Sequence, residues 1–227
     1  SVLCPAGHEV IQKDINVEMY DMFFSRSFLR QVSDRIAGEL NHLLHVEKQR
    51  TLDEEESALK NQLLQSNPEV LNQLASDAEK AKKILRGESF YDIDKLEWAT
   101  NTLHQIMAHI SLGYYPAQIC LPPIETDLAY KSFVSSEILE ALDDDQINVY
   151  RDVYRQLVAP IVKKEKPGMV GISIVQQKQI IPTFTFCKMI KEEHPDIHIT
   201  IGGNIVTRIR DELKTQDKLF GHIDSAV

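Results

Sequence analysis

The segment from Lys166 to Leu213, KPGMVGISIVQQKQIIPTFTFCKMIKEEHPDIHITIGGNIVTRIRDEL, limits the fold more than any other part of the chain. Met169–Val175 is a near-continuous apolar run of strand length. Pro182–His194 has helical apolar spacing, and Ile197–Ile201 alternates as a second strand before a Gly202-Gly203 turn and another helical stretch. Strand, helix, strand and helix in this order predict parallel strands joined by crossover helices, hence an α/β chain with an open parallel sheet. The unbroken apolar character of Met169–Val175 predicts a strand covered on both faces. Gly221–Val227, GHIDSAV, reads as a further strand beginning.

Ahead of this core the pattern is mostly helical. His8–Val17 alternates as a short strand ending near Asp14 or Asn16; at that position the two polar side chains either meet a ligand or cap a turn. Met19–Val46 is helical. Leu52–Leu85 is helical with a break at Ser66–Glu69, where Asn67 is a cap and Pro68 a first helical residue, and Gly87 ends it. Tyr91–Ile110 is amphipathic, with Trp98 and Met107 read as packing residues. Ser111–Ala129 is irregular, marked by Gly113, Pro116, Pro122 and Pro123. Tyr114 and Tyr115 there are read first as packing residues, second as pocket lining. Ser135–Lys164 returns to helix, broken near Asp143–Asp145. The stretch between the first two strands is too long for a simple crossover. It predicts a mainly helical insertion at 26–164 inside a partial or complete domain spanning 1–227.

The 227 residues carry nine net negative charges, which argues against a large nucleic-acid-binding face. No apolar run approaches the ~20 residues needed to cross a bilayer. Cys4, Cys120 and Cys187 are far apart, giving neither CxxC nor a disulfide framework, and a reducing cytoplasmic setting fits. The opening SVLCPAGHEV lacks the pattern of a signal peptide.

The polar residues at the strand ends are the binding candidates. Ser173 offers a hydroxyl, and the loop Val175, Gln176, Gln177 offers backbone amides. Gly202 and Gly203 permit a tight turn and close approach of a ligand, while Asn204 either caps the next helix or donates an amide hydrogen bond. The turn is not GxGxxG and lacks the Lys and Ser/Thr of a P-loop. Asp53–Glu56, DEEE, fits a helix start better than a metal site. His104 and His109, five apart, do not share a helix face. Cys187 reads as a small buried residue. No catalytic residue and no metal ligand is assigned.

VGISIVQQ, ITIGGNIVTR and GHIDSAV, in this order, resemble the N-terminal cobalamin-binding domain of cobalamin-dependent radical S-adenosylmethionine enzymes, and DINVEMYDMFFS looks like that family's second strand. The resemblance implies a Rossmann-like open parallel sheet with a large helical insertion. It also implies cobalamin held above the carboxyl edge of the sheet. Ser173 and Val175–Gln177 would meet the corrin or its nucleotide tail, and so would Gly202, Gly203 and Asn204, with Asp14 and Asn16 at the same edge. The DxHxxG signature that supplies an axial histidine is absent, so no cobalt ligand is implied. CxxxCxxC is absent as well. An iron–sulfur cluster and S-adenosylmethionine would belong to a radical domain or partner subunit beyond this chain, and the module would support methyl transfer or another radical reaction. Two other readings stand beside it: a nucleotide-binding α/β enzyme domain, and a noncatalytic protein-interaction domain.

Overall fold

In the computed structural model of the chain, residues 7–122, 126–213, 215 and 217–227 are described. Residues 7–14 form no strand. Helix α1 runs Ile15–Phe23, and the Asp14 carboxylate caps it by accepting from the amides of Asn16 and Val17. The strand expected over His8–Val17 is thus corrected. Ile15, Met19, Met22 and Phe23 recur at helical spacing and lie against the core, whereas Val10 and Ile11 stay exposed with no neighbouring strand to pair with.

The single helix expected from Met19 is two helices. Ser25 interrupts it and caps α2, Arg26–Gln49, by accepting from Phe28 N at 3.2 Å. Asp53 and Glu56 form a reciprocal capping box at the start of α3, Glu54–Gln65, which explains the DEEE run. Asn67 caps α4, Pro68–Arg86, which ends at Gly87. A 3-10 turn, Glu88–Tyr91, leads to α5, Ile93–Gly113. Helix α4 packs along α5, and α2 lies against both, burying Phe28, Val32, Ala78, Ile106 and Ile110.

Tyr114 and Tyr115, at the end of α5, differ: Tyr114 is wholly buried, whereas Tyr115 is partly buried and bonds to Glu55. Then come α6, Ser135–Asp143, and α7, Val149–Val153, followed by one π turn, Tyr154–Val158, and α8, Ala159–Glu165. The π turn has a local cause. Pro160 has no N–H to donate to the carbonyl four residues back, and the Ala159 amide instead reaches Tyr154 O.

The sheet follows: β1 Met169–Ser173, α9 Ile180–Glu193, β2 His198–Gly202, the short helices α10 Asn204–Arg208, α11 Arg210–Leu213 and α12 Asp217–Phe220, and β3 Ser225–Ala226. The strands are parallel in the order β1-β2-β3, with Met169 beside His198, Ser173 beside Gly202 and Thr200 beside Ser225. Right-handed crossovers in this order place both connections on one face. That face buries Ile199 and Ile201 of β2 under α9, and α6 and α7 pack on α9 in turn. Asp224 ties the layer together by accepting from Ile199 N at 2.6 Å and pairing with Lys191 at 2.7 Å.

The opposite face is open. Met169, Gly171 and Ser173 are exposed there, and His198, Thr200 and Gly202 are half-buried. Coverage of β1 on both faces is therefore corrected: α6, α7 and the π turn pack on α9, and among the described residues the second face stays exposed at Met169, Gly171 and Ser173. The architecture is α/β, an open parallel sheet of three strands with a helical insertion. No helix among the described residues is long and apolar enough to cross a membrane.

Candidate functional site

At the carboxyl edge the chain clasps itself. Ile174 N donates to Gly202 O at 2.7 Å, and Ile205 N donates to Ile174 O at 3.3 Å. Gly203 sits at φ 105°, ψ 173°, where a Cβ would stand 2.4 Å from Ile174 O. Its lack of a side chain thus admits the close approach of Ile174. Gly203 is also the residue before α10, and no side chain caps that helix, so the capping role considered for Asn204 is corrected.

The loop after β1 is closed by a side chain. Gln179 Oε1 accepts from Val175 N at 2.8 Å and Gln176 N at 3.0 Å, so these two amides are occupied. Ser173, Val175, Gln176, Gln177 and Asn204 remain exposed, with Gly202 and Gly203 partly so, and all seven stand at the ends of neighbouring strands. Asp14 and Asn16 stand at the amino end of α1. Among the described residues no hydrogen bond joins either to this group.

Beside the loop lies a cleft of about 510 Å³. Gln177 and Lys178 form its sheet side, and Asp127, Ala129, Tyr130, Lys131, Ser132 and Phe133 form the other. The second wall is built by local hydrogen bonding. Gln118 and Asp127 exchange backbone bonds at 2.6 and 2.8 Å, Ala129 N donates to Asp127 Oδ1 at 2.8 Å, and Ala129 turns the chain at φ 62°. Tyr130 donates its hydroxyl to Asp144 at 2.7 Å. Burial, then the Asp144 carboxylate, pushes the Tyr130 phenol up to about 12, so it keeps its proton and the wall stays fixed at neutral pH.

Two cations face one anion in this lining. Lys178 lies 3.6 Å from Asp127, and Lys131 lies 3.6 Å from Glu137 outside the cleft. Both separations exceed the 2.7–2.9 Å of a tight charge-assisted bond, which leaves ammonium donors for a ligand. Phe133 is 72% exposed and offers a ring face. The sequence reading found Gln177 but missed residues 127–133, because their only signal was irregularity. The wall is set by the Gln118–Asp127 pairing and by Tyr130 on Asp144, and its meeting with Lys178 is a tertiary contact that no local pattern encodes.

The cofactor expectation is corrected here. Among the described residues, no group of three or more His, Cys, Asp or Glu side chains comes together to hold a metal ion. Cobalamin with its cobalt, metal binding, and the associated iron–sulfur cluster and S-adenosylmethionine chemistry are withdrawn on that finding. Cys120 is half-buried, Cys187 is buried with its thiol pushed up to about 12 by desolvation, and Cys4 lies outside the described residues, as does Pro123. His198 is bound to Ser225 at 3.0 Å, and His109 to Ser66 at 2.9 Å.

The chain matches no protein-family model, no curated protein and no solved structure. The α/β architecture and the geometry of the cleft are therefore the ground for a functional reading.

Proposed function

We propose that this α/β chain is a binding module that holds an anionic, ring-bearing ligand of the nucleotide class in the cleft beside β1. The observation that carries the reading is that Gln177 and Lys178, from the loop at the carboxyl end of a parallel strand, form one wall of that cleft. Open α/β sheets take ligands outside the carboxyl ends of their strands, and about 510 Å³ is in the range of small-molecule sites. Lys178 and Lys131 supply point charges for a phosphate, and Phe133 supplies a face on which a base stacks. Gln177 offers an amide to the ring edge or sugar. Ser173, Gln176 and Asn204 add polar contacts for a longer ligand along the same edge. These are binding roles, and no reaction step is assigned.

Calorimetric titration with AMP, ADP, NADH and FMN tests the proposal. The expected result is saturable binding of at least one of them that weakens with added salt. Lys178→Ala combined with Lys131→Ala should weaken it about ten-fold, or about 1.4 kcal/mol, and flatten the salt dependence. Phe133→Ala should weaken it without changing that dependence. Absence of binding by any of the four to a chain with intact circular dichroism would sink the reading.

A noncatalytic protein-interaction role is the second reading, favoured by the bare face of the sheet. Parallel sheets are ordinarily covered on both faces. A protein layer there would protect the amides of β1 from hydrogen exchange, which a nucleotide in the cleft would not do.

A further inference from the structure

Strand β1 lies at an edge of the sheet and carries none of the usual edge protection. It has β2 on one side and, among the described residues, no strand on the other. Natural sheets blunt a free edge with charged side chains, proline, a bulge or a very short strand. The far edge is blunted in the last of these ways, because β3 is only Ser225–Ala226. β1 is five residues, MVGIS, with no charge and no proline. Its register with β2 runs unbroken from Met169 beside His198 to Ser173 beside Gly202, so it has no bulge.

The ladder decides which backbone groups are left over. His198 N donates to Gly168 O at 3.1 Å, and Ile174 N donates to Gly202 O at 2.7 Å. The even-numbered residues therefore turn their N–H and C=O groups toward β2, and Met169, Gly171 and Ser173 turn theirs outward. Among the described residues nothing bonds to those outward groups. The apolar layer is incomplete on the same side. Ile199 and Ile201 of β2 are 0% and 1% exposed, whereas Val170 and Ile172, beside them in register, are half-buried. A strand presents donors and acceptors at every second residue, which is the spacing this edge offers. The strand that fits must also bring apolar side chains to Val170 and Ile172.

We propose that the occupant is β1 of a second copy of the chain, paired antiparallel about a two-fold axis through Gly171. The edge is complementary to itself in that register. Gly171 faces Gly171 of the second copy, and Met169 faces Ser173, so every outward N–H and C=O of β1 finds a partner. Val170 then stands opposite Ile172 of the second copy, on the face that α9 covers, and each completes the layer over the other. Such β-branched cross-strand pairs stabilise a sheet. An axis perpendicular to the sheet keeps both helical layers on one side and gives a closed dimer with one continuous sheet. The contact is small, so the dimer is weak and its population rises with chain concentration. The inference rests on the sheet edge and not on the cleft.

Gly171 supplies the test. A Cβ there would meet Thr200 Cγ2 at an ordinary 3.5 Å, so the single chain accommodates a side chain at this position. Gly171→Lys and Gly171→Glu each place like charges directly opposite one another across the axis, whereas Gly171→Thr places two small β-branched side chains there. Sedimentation velocity is run from about 10 µM to 1 mM chain, a range that reaches millimolar dissociation constants. The parent and Gly171→Thr should gain mass with concentration, and the Lys and Glu variants, with unchanged circular dichroism, should each stay monomeric. An equimolar mixture of the Lys and Glu variants should dimerise again. Hydrogen exchange of the parent should show Met169, Gly171 and Ser173 amides open at low concentration and protected at high. A parent that stays monomeric throughout, Lys and Glu variants that associate like the parent, or a mixture that fails to dimerise would each overturn the proposal. So would protection of the three amides at every concentration in a monomer, which would assign the edge to a segment of the chain itself.

Discussion

Asp152→Ala is expected to destabilise the fold by about 2–3 kcal/mol, the cost of leaving a buried hydroxyl donor without its acceptor together with the loss of two partly exposed ion pairs. Asp152 is a buried carboxylate in α7 that accepts the Tyr114 hydroxyl at 2.7 Å and pairs with Arg155 at 3.2 Å and Arg35 at 3.8 Å. Arg35 also lies 4.0 Å from the centroid of the Tyr114 ring and donates to Gly113 O at 2.9 Å and Asp145 O at 2.8 Å. This cluster joins α2, the end of α5 and α7, and α7 packs on α9 under the sheet. Its loss leaves the buried Tyr114 phenol without its acceptor and takes one carboxylate from Arg35 and Arg155, which are partly exposed and keep their bonds to Gly113 and Asp145. Burial and the carboxylate hold the Tyr114 phenol well above its ordinary value, so it remains a proton donor. Tyr114→Phe removes one hydrogen bond but leaves the ion pairs, and should cost about 1–2 kcal/mol. Urea unfolding of the two variants beside the parent measures both values. A cost below that of Tyr114→Phe for Asp152→Ala would refute the role given to the carboxylate.

The second large effect belongs to Gly203→Ala. The φ 105°, ψ 173° conformation is essentially restricted to glycine, and holding another residue there costs about 1–3 kcal/mol before any contact is counted. The added Cβ would also fall 2.4 Å from Ile174 O and 2.9 Å from Ile174 N, both backbone atoms with little room to shift. A total loss of about 3 kcal/mol or more is expected. Gly202→Ala is the control: its Cβ would meet Val227 at an ordinary 3.5 Å, so its stability should stay within about 1 kcal/mol. Thermal unfolding distinguishes this from the ligand-approach role that the sequence suggested. If Gly203→Ala melted like the parent and lost only ligand binding, the glycine would be serving a ligand after all.

Local signals were legible where local chemistry decides the outcome. Asn67 and Pro68 mark a helix start, Gly87 a helix end, and the MVGIS and HITIG runs are parallel strands because apolar and small residues sit where the pleat requires them. The His8–Val17 stretch was misread because alternation over a few residues does not distinguish a strand from the lead-in to an Asp-capped helix. Asp14 decides between them only once Met19, Met22 and Phe23 find a core to bury against. Trp98 was misread in the same way. Its spacing suits packing, yet the neighbouring helix covers Ala99 and Leu103 and leaves the indole 41% exposed. The carboxyl-edge residues from Ser173 to Asn204 were visible as strand ends. The opposite wall of the cleft was not, because Asp127 to Phe133 reach it through a pairing with Gln118 and the anchoring of Tyr130 on Asp144. The metal-dependent reading failed for a related reason. Motif order speaks to the path of the backbone, whereas ligation needs several donors converging in space, and the described residues bring no such group together.

The most direct test of the cleft as the binding site is a nuclear magnetic resonance titration of isotope-labelled chain with the nucleotide that binds in calorimetry. The account predicts saturable shifts concentrated at Gln177, Lys178 and Ala129–Phe133, with β1 following weakly and the α4–α5 tip unmoved. Shifts confined to other parts of the molecule, or none at saturating ligand, would contradict it.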